Sequence, residues 1–251
     1  MFNFFAENSA RMGAYINITG SDYNHIKNVL RMKTGERFLV SIENSSHLCE
    51  LESFGDDFLT VKIVEENFQN TELPIEIHLF QGLPKADKME QIIKQSVELG
   101  VARVIPTEMT NCVVKLEEKK KASKTVRWQT ISESAAKQSK RSIVPKVEMP
   151  MTFSMALKEA ENLDLILVPY ECKEGMSATV DALKEIKSGM KVGVFIGPEG
   201  GFCEKEIDLC TSAGGKIISL GKRILRTETA ATTAVGMCML YAEINLGENN
   251  D

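Results

Sequence analysis

The sequence predicts two parts: a small β-rich N-terminal domain and a larger α/β domain built on a parallel sheet. Three observations carry this. Residues 1–66 break into short apolar stretches separated by turn signals, the mark of several short strands with tight connections. From Ile75 onward strand-like runs alternate with helical periodicity, which implies a parallel sheet with covering helices. Finally, two successive apolar strands in the stretch Phe195–Ala234 each run into a glycine loop, and such loops at neighbouring strand ends are where open α/β sheets bind ligands.

The first domain is placed at residues 1–70. Its candidate strands are Asn3–Ala6, Ala14–Thr19, Arg37–Ile42, Leu48–Ser53 and Phe58–Val64, divided by Lys33-Thr34-Gly35, Glu43-Asn44-Ser45-Ser46 and Gly55-Asp56-Asp57. One helix interrupts them, with Ser21 placed to cap it and Ile26, Val29 and Leu30 as its apolar face. Short strands with tight turns make a small β-barrel. Asn67–Pro74 is polar, lacks periodicity and ends in proline, so it reads as the linker.

The second domain is placed at residues 74–247. Ile75–Phe80 is a strand. Lys85–Leu99 is a helix with Met89, Ile92, Ile93 and Val97 on one face, closed by Gly100. Arg103–Thr107 is the next strand. Glu117–Arg141 is a long basic helix with Trp128, Ile131 and Ala135 as its packing stripe, and Lys120, Arg127 and Arg141 recur at multiples of seven, so they share a face. Leu163–Pro169 is an apolar strand whose end, at Tyr170 and Glu171, begins another loop, and Thr179–Lys187 is an amphipathic helix. After the run Val192–Ile196 comes Gly197-Pro198-Glu199-Gly200-Gly201, where three glycines let the backbone approach a ligand closely. Cys203-x-x-Glu206 occupies a capping-box position with cysteine as a poor acceptor, so this helix start is expected to be under-capped. Ile217–Leu220 ends at Gly221, followed by Lys222, Arg223 and Arg226. The last helix, Thr227–Leu246, places Ala231, Ala234, Val235, Cys238 and Ala242 on one side, a small-residue face suited to a dimer interface or to a tight intrachain core.

Composition narrows the function. The 251 residues bury a full core without staples. Six cysteines form no CxxC pair, and with three histidines they show no metal-ligand spacing, so no metal is expected. No apolar run approaches a membrane span and the N-terminus carries no secretory pattern, which predicts a soluble cytoplasmic protein. Net charge is −5, yet residues 112–146 hold ten Lys/Arg against three glutamates. Phosphate contacts are local, so such a patch matters more than the sum, although a solvated helix face has the same composition. Residues 1–72 are acidic, with six Lys/Arg against eleven Asp/Glu. If this part reads RNA it does so through shape or a few bases.

GPEGGF at 197–202 followed by LGKRILRTETA at 220–230 is similar to the C-terminal signature of SPOUT-class RNA methyltransferases. Within that class the chain most resembles the RsmE family, which methylates uracil N3 in 16S rRNA. The resemblance extends to Lys88–Val101 (KMEQIIKQSVELGV), Glu133–Arg141 (ESAAKQSKR) and His25–Arg31 (HIKNVLR). It implies a PUA-like N-terminal β-barrel, a SPOUT α/β domain with a C-terminal trefoil knot, a homodimer, S-adenosyl-L-methionine as cofactor, and the assembled small ribosomal subunit as substrate. Asn3 stands where family members often carry arginine.

The motif match implies the site residues. Cofactor contacts fall on Pro169, Gly197, Pro198, Glu199, Gly200, Gly201, Leu220, Gly221, Ile224, Leu225, Arg226, Thr229 and Ala230. Backbone groups of Leu220, Gly221 and Leu225 read the adenine edge, with Ile224 and Leu225 on its face. RNA contacts fall on His25, Arg31, Lys137, Gln138 and Arg141, while Lys119–Lys121 read as a solvated face. For His25 and Arg31 a partly buried histidine and a surface arginine are equally ordinary. Uracil N3 is protonated at neutral pH, so arginines near its carbonyl oxygens would favour the anion; Arg226 and Arg223 are the candidates. Glu199 either accepts a proton or orients its loop. With no nucleophile constellation in these motifs, direct transfer is expected. A ribose 2′-O-methyltransferase of the same class and a non-catalytic ribosome assembly factor are the alternatives. A Rossmann dehydrogenase is the weakest, since no GxGxxG follows the first strand of an α/β unit.

Overall fold

A computed structural model describes residues 1–171 and 175–247, so Cys172 lies outside the described residues. The chain divides into two compact units: Met1–Glu72 with Ala136–Val144, and Leu73–Ala135 with Pro145–Asp251.

In the first unit the strands are β1 (Asn3–Phe5), β2 (Arg11–Met12), β3 (Tyr15–Thr19), β4 (Arg37–Ile42), β5 (Ser45–Phe54) and β6 (Phe58–Gln69). They form one sheet in the order β1-β4-β5-β6-β3-β2, curled as a half-barrel. Alternation explains the curl's contents: Phe38, Val40 and Ile42 from β4 and Leu59 and Val61 from β6 meet Phe4, Ile16 and Leu51 in one core. Register shifts between β5 and β6 supply bend and twist, as bulges do. The β4–β5 connection is a two-residue turn with both Glu43 and Asn44 at positive φ (53° and 60°), the geometry that matches strand twist.

Three expectations are corrected in this unit. The stretch read as linker is partly strand, because β6 continues to Gln69, which pairs with Ser46. Asn67, Phe68 and Gln69 are all exposed, so hydrogen bonding to β5, and not an apolar pattern, makes this part a strand. The helix is capped differently: Thr19 occupies the N-cap position and Ser21 lies inside α1 (Gly20–Asn24). Its continuation, His25–Leu30, is π-wound. The wider turn rotates the face, so Ile26 is fully buried while Val29 is 68% exposed.

The second unit carries β7 (Glu76–Gly82), α2 (Lys88–Glu98), β8 (Val101–Glu108), most of α3 (Glu118–Gln138), β9 (Lys146–Val147), β10 (Met151–Thr152), α4 (Phe153–Ala160), β11 (Leu165–Pro169), α5 (Ser177–Lys184), β12 (Lys191–Ile196), α6 (Glu204–Ser212), β13 (Lys216–Ile218) and α7 (Thr227–Leu246). The sheet runs β10-β8-β7-β12-β11-β13, with β9 also on β8, and every pair is parallel. Apart from His78 and Gln81 on β7, the buried residues of its central strands are apolar on both faces, as a sheet covered on both sides requires. Phe80 and Phe195 stack across β7 and β12 with centroids 4.3 Å apart, and Phe153 meets Phe195 edge-on. The small-residue side of α7 is fully buried and packs within the chain against α2, β7 and β12. That face is therefore core, and a dimer would use other residues.

The basic helix ends at Gln138, and Lys140 takes φ 60°. Arg141 lies beyond the helix, so it shares no helical face with Lys120 and Arg127.

Candidate active site

Strand order decides where a site forms. β12 sits between β7 and β11, and β11 sits between β12 and β13, so chain order reverses in mid-sheet. Ligands bind outside the carboxyl ends of strands at such a reversal. The ends of β11, β12 and β13 here are Pro169, Ile196 and Ile218. The loops that follow surround a cavity of about 750 Å³, within the size range of small-molecule sites.

Each loop is held by polar bonds. In the first, Gly197 O accepts from Thr227 Oγ1 at 2.7 Å, and Thr227 in turn accepts from Gln81 Nε2 at 2.9 Å. Asn111 Nδ2 donates to the carbonyls of Gly200 and Gly201. A Cβ on Gly82 would lie 2.6 Å from the Pro198 nitrogen, so β7 and the loop touch backbone to backbone. In the second, Thr179 Oγ1 donates to Ser219 O at 2.8 Å and accepts the Ser219 N–H at 2.9 Å, both buried. Gly221 then takes φ +106° with only an Arg223 side-chain atom near the place a Cβ would occupy, a conformation that favours glycine.

The loops also meet a helix start. At Cys203, Glu206 makes its half of the capping pair, accepting the Cys203 N–H at 2.9 Å. The same carboxylate accepts from Thr110 N–H and Oγ1, so it ties α6 to the segment after β8. Lys88 Nζ lies 3.0 Å from Glu199 Oε1 and 3.2 Å from Glu228 Oε2. Burial by itself would push the Glu199 carboxyl up, but its own and the Lys85 backbone N–H groups and the Lys88 ammonium outweigh this and hold it below the usual carboxylate range. Glu228 behaves alike, burial being outweighed by its own N–H, Lys88 and Arg226. A carboxylate held ionised is a weak proton acceptor, which favours the loop-orienting role for Glu199.

Of the residues assigned to the cofactor from sequence, Pro169, Gly197, Pro198, Glu199, Gly201, Leu220, Gly221, Ile224, Leu225, Arg226 and Ala230 line the cavity, as does Arg223. Gly200 and Thr229 do not. Gly200 is turned to Asn111, against whose Cβ an added Cβ would lie 2.9 Å away. Thr229 is exposed on α7, and Thr227 holds the place at the cavity. Sequence reasoning missed Lys88, Phe202, Ser219 and Thr227. Lys88, Phe202 and Thr227 lie inside the motifs already singled out and Ser219 just before one, but nothing in their spacing marks which way they point.

Replacing Thr227 with valine is expected to destabilise the protein by about 1–3 kcal/mol, because Gln81 and Gly197 both lose a buried partner. Gln81 Oε1 is already buried without a partner among the described residues. Urea unfolding of Thr227→Val beside Thr227→Ser tests this; equal stabilities would mean the bridge carries nothing.

The RNA assignments separate. His25, Arg31 and Gln138 are exposed. Lys137 is half-buried, its ammonium 2.8 Å from Asp22. Arg141 is only 4% exposed and forms an ion pair with Glu72, so burial removes it from the RNA-facing set. Lys121 is not solvated either; it pairs with Glu108 and Glu118. Arg127 pairs with Glu90 and Lys146 with Glu148, so carboxylates outside the basic segment offset much of its charge. Asn3, at the family's arginine position, is buried and donates to Arg141 O. Among the described residues no cluster of His, Cys, Asp and Glu is arranged to hold a metal, and no helix is long and apolar enough to cross a membrane.

Comparison with known proteins now bears on the same loops. Residues 71–239 match a model described as an RNA methyltransferase domain, and residues 18–64 match an RNA methyltransferase PUA domain. The ribosomal RNA small subunit methyltransferase E of Bacillus subtilis is 37% identical over 92% of each chain. The chain belongs to this family. Ribosomal RNA small subunit methyltransferase E of Neisseria gonorrhoeae, solved bound to S-adenosyl methionine, superposes with a TM-score of 0.79 at 29% identity, covering 96% of this chain and 97% of that one. A methyltransferase from Legionella pneumophila, solved with bound SAM, gives a TM-score of 0.80 at 30% identity over 95% and 97%. Membership of the methyltransferase E family accounts for a half-barrel followed by a parallel α/β unit, and it rules out the dehydrogenase reading.

Proposed function

We propose that the chain transfers a methyl group from S-adenosyl-L-methionine to N3 of one uridine in 16S rRNA, on the assembled small subunit. The single observation that carries this is the convergence of both signature loops, GPEGGF and LGKRILR, on one cavity. The residues fit the cofactor: Leu220, Leu225 and Pro169 offer an apolar wall, and the open space beside Gly221 admits close approach to backbone. When bound, the cofactor supplies an electrophilic methyl on sulfur.

The rest falls to this chain. The two loops orient the methyl donor, and much of the acceleration comes from positioning. Arg226 and Arg223 lie on the cavity and stabilise negative charge on the uracil carbonyl oxygens as the N3 proton passes to solvent water. Glu199 fixes the loop. No covalent enzyme intermediate is involved. His25, Arg31 and Gln138 contact RNA. The protein acts in the cytoplasm as a homodimer, a reading supported by exposed Ile224, Leu240 and Ile244 in the second unit (84%, 55% and 77%). Insertion of β12 between β7 and β11 supports threading of the C-terminal loops as a trefoil knot.

Labelled S-adenosylmethionine and small subunits from a strain lacking this gene test the reading, with nucleosides resolved by mass spectrometry. Labelled 3-methyluridine is expected. Labelled 2′-O-methyl nucleoside would move the chemistry to ribose. No label, with no cofactor binding by calorimetry, would overturn the enzymatic reading.

A further inference from the structure

We propose that Lys88 is a positioning residue that latches the two signature loops to each other. It is the first residue of α2, and its ammonium reaches Glu199 of the glycine loop and Glu228 in the first turn of α7. These carboxylates come from the two motifs that converge on the cavity, and Lys88 lines that cavity as well.

The approach to α2 is shaped for the purpose. Ala86 sits at φ 54°, a left-handed conformation costly for a residue with a side chain. This bend lets the Lys85 N–H donate to Glu199 Oε1 at 3.1 Å, the oxygen that Lys88 also meets. One entry turn therefore holds the glycine loop twice and α7 once. Without the ammonium, the two carboxylates would lose the cation they share and repel, and the loops would separate where the ligand must be gripped.

The inference rests on the cavity being the cofactor site, so its test keeps the two apart. Wild type, Lys88→Met and Lys88→Arg are compared by calorimetry with S-adenosylmethionine and by hydrogen exchange without it. Lys88→Met is expected to weaken binding about tenfold, the scale of one lost charge-assisted hydrogen bond. It should also speed exchange at residues 197–202 and 226–230 in the cofactor-free protein. Lys88→Arg, whose fork serves two carboxylates, should keep both near wild type. With the RNA substrate saturating and the cofactor varied, Lys88→Met should lose more in KM for the cofactor than in kcat. Unchanged exchange and affinity in Lys88→Met would overturn the latch, as would faster exchange with unchanged affinity. Should Lys88→Met fail to fold, Glu228→Gln removes one arm and is expected to loosen 226–230 more than 197–202; equal exchange there would also refute it. A wild type that binds no cofactor would refute the cofactor site, while the exchange data would still judge the tie.

Discussion

Arg226→Ala is expected to lower kcat by about 10²–10³-fold, the scale of removing one preorganised donor to developing negative charge. Affinity for S-adenosylmethionine should change little. Arg226 is exposed on the cavity and sits at the N-cap position of α7 with extended backbone. Truncation therefore removes a charge and leaves the fold. Single-turnover methylation separates chemistry from release. An unchanged rate with a raised cofactor Kd would make Arg226 a binding residue instead. Arg223 is also exposed there, so Arg223→Ala tells whether one guanidinium or two carry the effect.

Arg141→Met is expected to cost about 3–5 kcal/mol, the range for breaking a buried ion pair on one side. Glu72 accepts from Arg141 Nε at 3.1 Å and from Nη2, and also from Ser142 N–H at 2.9 Å and Oγ at 3.2 Å. Removing the guanidinium leaves a carboxylate 16% exposed with neutral donors alone. Two-probe urea unfolding would report it. A change below about 1 kcal/mol, the scale of exposed pairs, would show the site reorganises freely. A surface pair such as Lys184 with Asp181 is the natural control.

What was legible in the sequence follows from what periodicity measures. Repeating apolar positions report burial of a face, so β4, the buried face of α2 and the whole of α7 were readable, and glycines announced both loops. Polar partners across long separations leave no such trace. Gln81 meets Thr227, and Glu199 meets Lys88, only because β7, β12 and α7 are neighbours in space. Counting cations along residues 112–146 treats each as free, whereas Glu72, Glu90 and Asp22 claim three of them from elsewhere in the chain. The π-wound segment and the extension of β6 escaped for a related reason: both are set by hydrogen-bond geometry, to which composition is blind.

The position of β12 has a consequence for synthesis. β7, β8 and β11 precede it in the chain, yet β12 belongs between β7 and β11. Until residue 191 emerges, β7 offers one unpaired edge and β11, whose neighbours β12 and β13 both come later, offers two, on strands whose residues are mostly buried, the kind of edge that invites association with other chains. Parallel pairing at such separation closes slowly. The unit that carries the cavity thus passes through a nascent stage in which its sheet ends at β7 and β11 has no partner, and the late strand joins the two and leads into the first loop of the site in the same step.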